Sequence, residues 1–175
     1  MLSFARVRAL AIVTVLAIGA LVVVVLAMSR DPGSVLAGDG GCPAGNVPAR
    51  VALPPTNTVK INIYNGTDQA GLASQVAENF ANRDFEVLEQ GDDPLDTEVD
   101  GVAVLRYGPH AVGAGHVLRA YFLNAAEVQF DIERADDTVD VVIGNQFRQL
   151  ATETEVRQSI AALGNPEPPP GTCPA

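Results

Sequence analysis

The sequence predicts a small α/β (α+β) domain behind one N-terminal transmembrane helix: a mixed β-sheet with two packed helices, in the order β-α-β-β-α-β-β. Three observations carry this reading. An uncharged apolar run opens the chain, five short stretches alternate apolar and polar residues, and two segments between them repeat apolar residues at helical spacing.

The run is ALAIVTVLAIGALVVVVLAM, residues 9–28, 20 residues without a charge. As a helix it is about 30 Å long and matches a bilayer core. A cleaved signal peptide is the competing reading, because Ala27-Met28-Ser29 fits a small-x-small cleavage site. Against it, the run exceeds the roughly 7–15 apolar residues usual in such peptides. Arg6 and Arg8 precede the run and Arg30 beside Asp31 follows it. The positive-inside rule then leaves residues 1–8 in the cytoplasm and everything after residue 30 outside. The expected location is the cytoplasmic membrane, single-pass, with the C-terminal part extracytoplasmic.

Export changes how the cysteines are read. Cys42 and Cys173 lie in similar surroundings, GGCPAG and GTCPA, near the two ends of the exported part. Thiols outside the cytoplasm tend to be oxidised, so the two are expected to pair. The bridge would close a loop of about 130 residues, worth roughly 5 kcal/mol in the chain-entropy model before strain. Two unpaired thiols are the alternative; a metal site lacks a ligand set.

Residues 31–175 hold 8 basic and 21 acidic residues, a net charge of −13. A surface this acidic repels nucleic acid and anionic headgroups, so no nucleic-acid partner is expected.

Residues 29–57, rich in Gly and Pro without an apolar period, read as a linker, and 165–175 as a Pro-rich tail. The folded part is therefore expected over 58–164. In TVKINIYN (58–65), Val59, Ile61 and Ile63 fall on one face, with Lys60 and Asn62 on the other, the pattern of a half-buried strand. Leu72, Val76 and Phe80 then recur at i, i+4 and i+8, a helix. FEVLEQ (85–90) resumes alternation, and GDDPLDTEVD (91–100) reads as a solvated acidic loop, since its spacing fails the pattern of a calcium loop. GVAVLRYG (101–108) is a third strand. HAVGAGHVLRAYFLN (110–124) is a second helix with Val112, Val117, Leu118 and Tyr121 or Phe122 inward. EVQFDIE (127–133) and TVDVVIGNQF (138–147) complete the sheet, the Val-Val-Ile run of the last strand indicating burial.

Two glycine patterns invite a nucleotide reading. Gly66-Thr67-Asp68-Gln69-Ala70-Gly71 has the glycine spacing of a P-loop, but Leu72 and Ala73 stand where Lys and a hydroxyl are needed. Asp68 also discourages an incoming anion. The simpler account is a turn at Asn65-Gly66 with Thr67 or Asp68 capping the helix. Gly113-Ala114-Gly115 lacks the third glycine of a dinucleotide fingerprint, which has Leu118 in its place. His110 and His116 have no nucleophile or third ligand beside them. No catalytic residue, metal or cofactor is expected.

V-x-I-x-I-Y-N-G-T-x-x-x-G-L-A-x-x-V-A, from Val59 to Ala77, followed by Phe85-Glu86-Val87, resembles the opening motif of the LytR C-terminal domain family. Arg106-Tyr107-Gly108-Pro109 resembles that family's central strand and turn, and Val139 to Gly144 its closing strand. The match covers about 58–147. In the family this domain often trails a membrane-anchored catalytic domain that transfers glycopolymers to peptidoglycan. No room for such a domain lies between the apolar run and the motif, so the transferase activity does not carry over. The arrangement is similar to stand-alone, membrane-anchored actinobacterial members, which implies a part in cell-envelope integrity.

The expected function is thus a non-catalytic tethered domain that binds cell-wall polymer (peptidoglycan or an attached glycan) or an envelope-assembly membrane protein. Asn65, Gly66, Thr67 and Gly71 are the candidate ligand turn, through exposed amides, with Arg106 and Tyr107 as polar and aromatic contacts; the alternative is that the glycines serve only tight turns. Two other functions stand beside this one: a wall-precursor transferase or hydrolase using His110, His116 and nearby acids, and an acidic scaffold for a basic protein.

Overall fold

The structure, a computed structural model, describes residues 42–175. The expected anchor at 9–28 lies outside the described residues. Among the described residues no helix is long and apolar enough to cross a membrane.

In chain order the elements are β1 (Val47–Ala49), β2 (Lys60–Asn65), α1 (Leu72–Ala81), β3 (Glu86–Asp92), β4 (Ala103–Tyr107), α2 (Val112–Tyr121), β5 (Glu127–Phe130), β6 (Thr138–Ile143), α3 (Glu153–Leu163) and β7 (Thr172–Pro174). From β2 to β6 this is the expected β-α-β-β-α-β-β. The five-stranded sheet runs β3-β2-β6-β4-β5, and every neighbouring pair is parallel except β4 with β6. Strand β6 is central, and Val139, Val141, Val142 and Ile143 are completely buried in it. That burial on both faces explains the unbroken Val-Val-Ile run.

Alternation divides the two faces. Ile61, Ile63, Leu105, Tyr107, Val139, Val141 and Ile143 face the helices and form one core with Leu72, Val76 and Phe80 of α1, Val117, Leu118 and Tyr121 of α2, and Val156 of α3. Phe80 sits at its centre, 5.1 Å from the Phe85 ring and 5.8 Å from Tyr121. Both Tyr121 and Phe122 are buried, so α2 ends with two aromatics in the core where one was expected. Its Gly115 lies so close under the Tyr107 ring that a Cβ there would collide with the ring carbons. The GAG sequence is thus a close-packing device.

The opposite face is polar. Glu89, Asn62, Asp140, Arg106 and Gln129 stand in register across the five strands. Asn62 donates to Asp140 at 2.8 Å and Arg106 to Gln129 at 3.2 Å. Only a small apolar patch, Tyr64, Val104 and Val142, needs a cover there, and Val99 from the 93–100 loop supplies it.

The stretches expected as linker and tail contain structure. β1 and β7 pair in parallel, and Cys42 and Cys173 form the expected disulfide with Cα atoms 5.7 Å apart. Proline is compatible with this two-stranded ribbon because each strand has an unpaired edge. α3 is an element that the apolar periodicity did not predict. Its signal is a capping box: the Thr152 hydroxyl accepts from the Glu155 amide at 3.5 Å, and the Glu155 carboxylate accepts from the Thr152 amide at 2.7 Å.

Candidate ligand-binding site

Asn65 ends β2 with its side chain buried in the turn that follows. Its Oδ1 accepts from the Thr67 amide at 3.2 Å and the Thr67 hydroxyl at 2.9 Å, while its Nδ2 donates to the Gln69 carbonyl at 3.0 Å. The Thr67 hydroxyl in turn accepts from the Gln69 amide at 3.1 Å. Asn65 and Thr67 therefore hold the backbone of Gln69 from both sides. Gly66 donates to the Ile143 carbonyl and accepts from the Val99 amide, both at 2.9 Å. A Cβ at Gly66 would lie 2.9 Å from methyls of Val142 and Val99. The amides of Gly66, Thr67 and Gln69 are thus consumed within the fold rather than presented to a ligand.

The helix cap differs from expectation. Gly71 is the N-cap of α1 with φ of 78°, and neither Thr67 nor Asp68 caps it. The Thr67 hydroxyl is committed to the turn, and the chain needs a left-handed residue to swing into the helix, a conformation glycine adopts without steric cost.

Arg106 and Tyr107, adjacent on β4, point to opposite faces. Arg106 makes a two-pronged ion pair with Asp93 at 2.7 and 3.0 Å and donates to the Thr97 hydroxyl at 3.0 Å. The Asp93 side chain is 1% exposed and that of Arg106 11%. Asp93 therefore departs from the expected solvated loop: it is the buried post on which that loop turns. Burial alone would raise its pKa, but the hydrogen bonds from Arg106, from Thr97 and from the Leu95 amide bring it below the ordinary carboxylate value. Tyr107 lies on the helix face, edge-on to Phe130 at 6.2 Å, and burial raises its phenol pKa. The turn and the acidic loop border a depression of about 310 Å³. Exposed Asp92, Asp96 and Asp68 make it unfavourable for an anion.

His116 has its Nε2 3.0 Å from the Gly164 carbonyl. Burial lowers its pKa, with the Gly164 hydrogen bond opposing. Among the described residues no group of three His, Cys, Asp or Glu is gathered to hold a metal ion.

A groove of about 570 Å³ runs between α1 and residues 147–152. Its floor is Leu72, Val76, Phe147 and Leu150, and its walls are Gln69, Gln75, Asn79, Arg83, Arg148 and Gln149. Among the described residues no carboxylate lines it. Arg83 is fixed there, donating to the Ala151 carbonyl at 2.7 Å and lying 5.5 Å over the Tyr121 ring. Gln69 reaches this groove from the turn built by Asn65, Thr67 and Gly71. The expected ligand residues thus divide: Asn65 and Thr67 position a groove residue, Gly71 caps α1, Gly66 packs, and Arg106 and Tyr107 belong to two other surroundings. Sequence reasoning missed the groove although a signal existed, since Gln75 and Asn79 on α1 and Arg83 in the turn just after it recur at i, i+4 and i+8 as a polar stripe.

A family model described as LytR cell envelope-related transcriptional attenuator matches residues 58–147, the span from just before β2 to Phe147 of the groove. No curated protein matches the chain in sequence. Among solved structures, it is similar to the soluble domain of a conserved hypothetical secreted protein, an Rv2700 ortholog, from Mycobacterium marinum. The identity is 24% and the TM-score 0.54, over 70% of this chain and 83% of the other. The likeness is one of fold.

Proposed function

The chain belongs to the family of the LytR cell envelope-related transcriptional attenuator, and we propose that it is a non-catalytic, membrane-tethered extracytoplasmic domain that supports envelope integrity by binding cell-wall polymer. Three supports converge. The family is tied by its description to the envelope, the fold is shared with a domain of a protein described as secreted, and a disulfide joins the two ends of the domain, as suits an oxidising compartment.

The observation that carries polymer binding is the groove beside α1. Amide side chains both donate and accept hydrogen bonds, and a groove with polar walls over an apolar floor suits a chain that alternates polar groups with apolar faces. A wall-assembly protein is the second reading, favoured by the acidic surface of the depression beneath the β2–α1 turn.

Co-sedimentation of oxidised residues 42–175 with purified sacculi, at low and high salt and beside an unrelated acidic domain, separates the two. Saturable, salt-tolerant binding is expected. Absence of binding refutes the polymer reading. Binding to a basic protein partner that weakens as salt shortens the Debye length to about 3 Å at 1 M supports the second.

A further inference from the structure

The described residues carry 8 basic and 19 acidic side chains. Four of the basic ones are paired with carboxylates: Lys60 with Asp137, Arg106 with Asp93, Arg134 with Asp136 and Asp140, and Arg157 with Glu153. Among the described residues the other four, Arg50, Arg83, Arg119 and Arg148, have no carboxylate partner. Two of those four, Arg83 and Arg148, line the groove beside α1, and no acid does. The nearest carboxylates in sequence to its Thr152 end, Glu153 and Glu155, open α3, where Glu155 is taken up by the capping box.

From this convergence we infer that the groove recognises a carboxylate, and that its ligand is a carboxylate-bearing glycopeptide of the wall; the inference rests on the polymer-binding reading above. Unpaired cations that share a cleft in an acidic protein form a local well for an anion surrounded by repulsion. That repulsion selects against densely charged polymers and leaves short-range hydrogen bonding to decide. A guanidinium presents a planar fork that fits a carboxylate with two parallel bonds. Arg83 has one nitrogen engaged with Ala151 and its guanidinium held near Tyr121, so it is pre-oriented. Arg148 is exposed and adds the second charge. Gln69, Gln75 and Gln149 supply neutral amides that pair with peptide or N-acetyl groups. Leu72, Val76 and Phe147 beneath them accommodate methyl groups or a sugar face. Asn65 and Thr67 enter as positioning residues, through the two hydrogen bonds that fix Gln69.

The test measures binding of soluble peptidoglycan fragments to oxidised residues 42–175, with free and with amidated peptide carboxylates, for the wild type and for Arg148→Gln. Arg148 is exposed, so its replacement leaves thermal stability unchanged. The free-acid fragment is expected to bind at least tenfold more tightly than the amidated one, and Arg148→Gln to abolish that preference. Asn65→Ala is expected to weaken both fragments alike.

Sacculus binding that persists unchanged in Arg148→Gln, with no preference for free carboxylates, overturns the inference while leaving polymer binding intact. Loss of wild-type binding to sacculi and to both fragments instead overturns the polymer reading itself. Inorganic phosphate that competes as well as the free-acid fragment shows a general anion site and also overturns the inference.

Discussion

Arg106→Leu is the most informative single perturbation of the fold. The substitution keeps an extended side chain on β4 but removes both prongs from Asp93, whose side chain is 1% exposed. Breaking a buried pair by deleting one partner costs roughly 3–5 kcal/mol, because the remaining charge is left uncompensated. Here the amide of Thr97 at 3.1 Å continues to serve Asp93, while that of Leu95 at 3.4 Å is long. The lower end, about 3 kcal/mol, is therefore expected. For a unit of about 130 residues that corresponds to a fall in Tm of roughly 10–15 °C.

The pH dependence gives an independent check on the same pair. A carboxylate with a depressed folded pKa stabilises the fold above its unfolded value of about 3.9, and this contribution disappears as pH falls through the lower folded value. The folded pKa of Asp93 is depressed in this way. In Arg106→Leu the carboxylate stays buried without its guanidinium, so the deficit against wild type is full at neutral pH and closes once Asp93 is protonated. Circular-dichroism melts of both proteins between pH 3 and 8 measure this. Asp93→Asn combined with Arg106→Leu should recover part of the loss. A Tm change below about 3 °C at pH 7 would refute the assignment of Asp93 and Arg106 as the post of the 93–100 loop.

Two further outcomes follow from packing and covalent structure. Replacing Cys42 and Cys173 together by Ser frees a separation of 131 residues. The chain-entropy model puts the loss at roughly 5 kcal/mol, and residual order in the unfolded chain lowers that figure. Denaturant titration should show a lower midpoint, and proteolysis should cut first near β1 and β7; an unchanged midpoint would contradict the staple. Gly115→Ala places a methyl against the Tyr107 ring. It is expected to cost about 1–3 kcal/mol by overpacking, despite the better helix propensity of alanine, and a melt equal to or above wild type would show that the helix can shift away from β4.

The order β-α-β-β-α-β-β was legible because it depends on short-range periodicity. Ile61 and Ile63 alternate, Leu72, Val76 and Phe80 recur every four residues, and either pattern survives whatever the strands pair with. The disulfide was legible for another reason: two cysteines in a chain expected to be exported leave few partners. α3 was readable from Thr152 and Glu155, yet a capping box four residues long is easily passed over where α3 has only modest apolar periodicity.

The amino-acid order already dictates which residues lie inside: the period of the apolar positions sets the face that each strand and helix must bury, and the hydrophobic effect enforces it locally. Which polar residues meet is a property of the assembled fold. Asp93 and Arg106 are 13 residues apart, and Arg83 and Arg148 approach one groove from the turn after α1 and from the segment after β6. The same limit hid the ribbon of β1 and β7, whose strands come from opposite ends of the unit. Pairings of that kind depend on strand order and register, quantities that composition and periodicity along one chain do not contain, because they arise from the joint packing of segments distant in sequence.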